Sequence, residues 1–112
     1  MDLKFVEQQF NQIFNIDQLK EYAENQIKEM ISQSEDNYLS DDEFKLEDGL
    51  KISDLIVEYR KFTLHVNNFD REYPFMRIHI DLLHPKTFFQ IFYYEIELNN
   101  DGEVSDDYFG RY

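Results

Sequence analysis

Cysteine and tryptophan are absent from this chain, glycine occurs three times and proline twice. Without cysteine there is no disulfide framework and no thiolate zinc site, which fits a reducing compartment. No apolar run approaches the roughly 20 residues that a membrane-spanning helix needs. Basic residues are scarce too: 11 Lys and Arg stand against 24 Asp and Glu, a formal charge of −13. That balance excludes ordinary nucleic-acid binding, which relies on Lys and Arg to neutralise phosphates. Met1–Lys4 lacks the basic start of a secretory signal. The expectation is a soluble cytoplasmic protein.

What is present suffices for a packed core. The 112 residues are 42% hydrophobic and include 11 Phe and 8 Tyr. A single domain over 1–112 would bury about two-thirds of its unfolded surface. Leu3, Val6, Phe10, Ile13 and Phe14 recur at helical spacing, and Leu19, Tyr22, Ala23, Ile27, Met30 and Ile31 form a second stripe. Between them Asn15, with Gln18 three residues on, makes a capping-box pattern, and Phe14 and Leu19 flank it as a staple. The spacing predicts helices over 2–13 and 16–33. Residues 34–51 turn polar and acidic, a surface connection with room for a helical turn at Ser40–Phe44.

The remainder reads as strands. Leu55, Val57 and Tyr59 share one parity and Phe62, Leu64 and Val66 the other. A regular strand cannot swap faces, so a bulge or bend is expected at Arg60-Lys61. Phe75–Leu83 alternates, with Met76, Ile78, Ile80 and Leu82 on one face and Arg77, His79 and Asp81 on the other. After a break at His84-Pro85-Lys86, Thr87–Leu98 is apolar on both faces for half its length. Asn99-Asn100-Asp101-Gly102 then signals a turn that returns Val104–Phe109 beside Tyr94–Leu98.

Pairing Val66 with Met76, Leu64 with Ile78 and Phe62 with Ile80, then Ile78 with Phe92 and Leu82 with Phe88, gathers one apolar face. The fold class that follows is α+β: N-terminal helices packed on one face of a four- to five-stranded antiparallel meander. The helices are expected to cover Phe62, Leu64, Val66, Met76, Ile78, Ile80, Phe88, Phe92 and Tyr94.

The opposite face collects Lys61, Thr63, His65, Arg77, His79 and Asp81 with Phe89, Ile91 and Tyr93. His79 or His65 could serve as a general base oriented by Asp81, with Arg77 holding an anion. No nucleophile motif, phosphate loop or metal-ligand spacing accompanies them, so they read first as polar residues on a wet face. Glu97-x-Asn99-x-Asp101-Gly102 opens like a calcium loop, but Tyr108 stands where the bidentate Glu is required. No cofactor is expected.

Two features point to a binding function. Phe89, Ile91 and Tyr93, extended by Leu55, Val57 and Tyr59, form an aromatic-aliphatic group of the kind that marks interfaces. The C-terminal 108–112 segment or a second copy, making a homodimer through the sheet, could also cover it. The segments 35–48 and 95–107 hold 13 of the 24 acidic residues, opposed only by Lys45. Carboxylates beside exposed aromatics suit capture of a basic partner such as a nuclease, where they stand in for phosphates. The candidate partner-binding residues are Asp41, Asp42, Glu43, Phe89, Ile91, Tyr93, Glu95, Glu97, Asp101, Asp106, Asp107 and Tyr108.

The size, the acidity, the helix-then-meander order and the ending Tyr94-Glu95-Ile96-Glu97-Leu98-Asn99-Asn100-Asp101-Gly102-Glu103-Val104-Ser105-Asp106-Asp107-Tyr108 resemble small bacterial immunity proteins of polymorphic and contact-dependent toxin systems. The resemblance implies tight binding of one cognate toxin domain in the cytoplasm of the producing cell. It carries over no individual functional residue. A phage-encoded DNA mimic directed at a restriction or CRISPR nuclease would use the same electrostatics. A small ligand-binding or enzymatic domain using His65 or His79 is the alternative from another class.

Overall fold

The computed structural model describes residues 2–33, 46, 47 and 49–112. Helix α1 spans Leu3–Ile13 and α2 spans Ile16–Gln33. The Asp2 side chain caps α1 by accepting from the Lys4 and Phe5 amides at 3.0 and 3.3 Å. Asn15 Oδ1 caps α2 by accepting from the Gln18 amide at 3.1 Å, as the spacing predicts. The Ser40–Phe44 turn and the candidates Asp41, Asp42 and Glu43 lie outside the described residues. None of the described helices is long and apolar enough to cross a membrane.

After one 3-10 turn at Ile52–Asp54, four strands follow in chain order and pair as an antiparallel meander. They are β1 (Ile56–His65), β2 (Phe75–Leu83), β3 (Gln90–Leu98) and β4 (Val104–Arg111). The fold is α+β with its helices N-terminal, and the sheet has four strands. The expected bulge is present: the β1–β2 register shifts between Tyr59 and Lys61, so Arg60 is the extra residue. This shift lets Val57, Tyr59 and Phe62 all pack toward the helices, with the Tyr59 and Phe62 rings 5.5 Å apart.

One sheet face meets α2. Ala23, Ile27 and Ile31, four residues apart along the helix, lie buried with Ile78, Ile80 and Leu82 of β2 and Phe92, Tyr94, Ile96 and Leu98 of β3. Each fully buried aliphatic side chain contributes about 1.5–3 kcal/mol, so this layer is the core. Helix α1 buries none of its side chains and touches the sheet through Phe10, whose ring lies 6.0 Å from Phe62.

The pairing differs from the expected register. Leu64 pairs with Met76 and Phe62 with Ile78, two residues from the expected alignment, while Ile78 pairs with Ile96 and Leu82 with Phe92, four residues from it. Both slips preserve parity, so the buried face is the same. Strand β3 begins at Gln90 rather than Thr87. His84 Nδ1 accepts from the Lys86 and Thr87 amides, and Phe88 takes the left-handed φ of 61°, which lengthens the turn. Phe88 is therefore exposed, and so are Leu64 at the end of the edge strand β1 and Val66 just past it. These three of the nine expected core residues are not covered.

Candidate functional site

The open face of the sheet is built from odd-numbered residues of β2 and β3, and it is more tightly paired than a wet face. Asp81 is fully buried there. Its carboxylate takes hydrogen bonds from Gln90 Nε2 at 2.6 Å and from the Tyr112 hydroxyl, and meets Arg60 Nε at 3.2 Å. His79 lies between two carboxylates, with Nε2 2.8 Å from Asp81 and Nδ1 2.9 Å from Glu95. Glu97 is 4% exposed and receives both Arg71, at 3.0 Å, and Arg77, at 3.1 Å. The His79–Asp81 pair expected to be solvated is thus the centre of a buried network. The parity break that creates the bulge also turns Arg60 onto this face.

Burial opposes ionisation of Asp81, yet hydrogen bonds from Tyr112, Gln90 and His79 outweigh it and hold the carboxyl below its usual range. Glu97 is held low likewise, with burial opposing its charge and Arg71 and Arg77 outweighing that cost. The Tyr112 phenol is pushed up by burial and by its bond to Asp81, so it stays a donor. A carboxyl depressed in the folded state contributes stability above its unfolded pKa, near 4, and loses it as pH falls through the folded value. The stability gap between the wild type and Glu97→Gln is therefore expected to shrink as pH drops below about 4. Urea midpoints of both proteins at pH 7 and pH 3 check this. The difference between the two proteins removes the general effect of discharging the acidic surface.

The predicted aromatic-aliphatic group does not exist as one patch. Phe89 is exposed in the β2–β3 turn, whereas Ile91 is half-buried against the core. Tyr93 lies within the open face, 6.0 Å from the His79 ring and 5.5 Å from Tyr112. Gly110 is its partner across the sheet, and a Cβ there would collide with the Tyr93 ring. The chain's end thus covers Tyr93. Leu55 is buried, and Val57 and Tyr59 face the helices, so they extend nothing.

The acidic candidates divide. Glu97 is buried and Glu95 half-buried, the latter 3.6 Å from Arg77, so neither belongs to a free acidic surface as expected. Asp101, Glu103, Asp106, Asp107 and Tyr108 are exposed along the β3–β4 turn and the edge strand β4. Asp107 also accepts the Tyr94 hydroxyl at 2.8 Å, tying β4 to the core. The ion pairs of Arg60, Arg71 and Arg77 go to Glu58, Asp81, Glu95 and Glu97. His65 stacks on Phe75 at 4.5 Å and bonds Thr63 at 3.0 Å.

Sequence reading missed Arg60, Arg71, Gln90 and Tyr112 as network members, because their partners are distant in the chain or across the sheet. It also passed over Phe69 and Tyr73, both exposed in the β1–β2 turn. Their signal was available: two aromatics in a polar turn segment have no strand face to fill. No family model, curated protein or solved structure matches the chain.

Proposed function

We propose that this chain is a protein-binding inhibitor of the immunity type, neutralising a cognate bacterial toxin, a nuclease by preference, in the cytoplasm. The observation that supports this reading is the exposed acidic row Asp101, Glu103, Asp106 and Asp107 on one edge of the sheet. Three arginines are committed to the opposite task of neutralising carboxylates on the open face. Part of the chain's net charge of −13 is thus displayed along this edge. Such a field steers a basic partner into contact and suppresses the wrong ones. Against a nuclease, the carboxylates occupy the positions that substrate phosphates would take.

The test is co-expression with the toxin domain encoded next to this chain. Wild-type protein should restore growth and form a stable complex. The triple variant Asp101→Asn, Asp106→Asn, Asp107→Asn should fold normally, since exposed charges contribute only about 0–1 kcal/mol each and Asn keeps the acceptor for Tyr94. It should bind at least about tenfold more weakly, a loss of about 1.4 kcal/mol. Unaltered binding by the triple variant would remove this edge from the interface. Absence of any toxic neighbour would contradict the reading as a whole.

A further inference from the structure

The apolar surface that the helices leave open lies at the end of the sheet opposite Phe89. The β1–β2 turn and the β3–β4 turn come to that same end, as the meander order requires. Between it and α1 runs a groove of about 320 Å³, walled by Val6, Phe10 and Ile13 on the helix and by Leu64, Phe75 and Met76 on the sheet. No charged side chain lines it among the described residues. Val6, Ile13 and Leu64 are 47%, 74% and 54% exposed, so the groove is open to solvent rather than filled.

Pro74, Phe75, Asn99 and Asn100 form a shared wall, and beyond it lies a polar cleft of about 650 Å³ that carries Glu72 and Asp101. Among the described residues lining that cleft, the cation is Arg71, which is bound to Glu97 at 3.0 Å. Glu72 and Asp101 are exposed, and the same turn leaves Phe69 and Tyr73 in solvent. The end of the molecule therefore joins an uncharged apolar trough to an acidic rim. An apolar centre excludes water and slows dissociation, whereas a charged rim speeds encounter.

We propose that the groove seats an apolar side chain from a basic segment of the partner, whose flanking lysines or arginines engage Glu72 and Asp101. The proposal rests on the inhibitor reading and adds how the partner is held. Charge decides the occupant: a second copy of this chain would set acidic rim against acidic rim, which costs association rather than driving it.

The chain has no tryptophan, so a peptide probe can be read without background. The probe is a short amidated peptide with a leucine–tryptophan centre and lysines at both ends; its control replaces the centre by alanines. Wild-type protein should shift the tryptophan emission to the blue at low salt. Leu64→Asp or Ile13→Asp should weaken that binding at least about tenfold. The milder Leu64→Ser should weaken it in the same direction, which keeps the test valid if an aspartate variant fails to fold. Equal affinity for the alanine-centred control, measured by titration calorimetry, would overturn the groove while leaving the acidic edge in place. Binding of neither peptide at low salt would overturn both. Self-association of the chain that excludes the probe would put a second copy in the groove and overturn the proposal.

Discussion

Asp81→Ala is expected to cost roughly 3–5 kcal/mol of folding stability, the scale seen when one partner of a buried charge cluster is removed. Asp81 has no exposed surface, and four groups converge on it: Arg60, His79, Gln90 and Tyr112. Those groups come from β1, from its own strand, from β3 and from the last residue of the chain. Alanine would leave Gln90 without its acceptor and would leave the Tyr112 hydroxyl and His79 Nε2, 2.9 Å apart, with only each other in place of the carboxylate. The loss should therefore be felt across the whole sheet rather than at one contact. Urea unfolding at pH 7 measures it, and hydrogen exchange at β4 should rise because one anchor of Tyr112 is gone, leaving its amide bond to Ile91 and its contact with His79. A cost under about 1 kcal/mol, the range of an exposed ion pair, would mean that the network is solvated.

Ile78→Ala is the second large effect, at roughly 2–5 kcal/mol. Ile78 is fully buried at the middle of β2, between Phe62 of β1 and Ile96 of β3 and beneath α2. Two strand neighbours fix the backbone on either side, so the cavity cannot collapse easily. The cost comes from lost transfer energy together with the residual void. Denaturant unfolding of this variant should show a lower midpoint at unchanged slope. An unchanged midpoint would place Ile78 on the wrong face of the sheet.

The secondary structure was legible because local chemistry marks its boundaries. Asn15 with Gln18, between Phe14 and Leu19, divides α1 from α2. The parity switch at Arg60-Lys61 foretells a bulge, and Asp101-Gly102 gives a turn in which Gly102 has a φ of 81°. Register was not legible, for a physical reason. Ile78, Ile80 and Leu82 can face Phe92, Tyr94, Ile96 and Leu98 in several alignments that differ by even steps, and each buries the same face. What selects among them is turn geometry, and the β2–β3 turn is closed by His84 accepting backbone amides, which no motif announces.

The candidate site was half legible. Asp101, Asp106 and Asp107 follow directly from a turn and an edge strand, both exposed by construction. Glu97 belongs to the same acidic run but is neutralised by Arg71, 26 residues away in sequence. Tyr93 looked surplus because the pattern offers the 108–112 segment and a second copy equally as its cover and does not choose between them; the structure folds Tyr112 onto it. The open apolar trough beside α1 was hidden by a sound expectation: α1 carries an amphipathic stripe, and such stripes are normally buried. Here Phe10 meets the sheet ring to ring and Phe14 packs beside it, while Leu3, Val6 and Ile13 of the stripe stay exposed.

On the proposed function, displayed carboxylates bring a basic partner to this edge of the sheet. The association rate with a basic toxin domain, where one is encoded beside this chain, tests this most directly when measured by stopped flow from low to physiological salt. Steered encounter gains about 10- to 1,000-fold over the unsteered rate and fades as the screening length shortens to about 8 Å. The rate should fall steeply with salt for the wild type and far less for the Asp101, Asp106 and Asp107 triple variant. A rate indifferent to salt, or equal for the two proteins, would contradict the account.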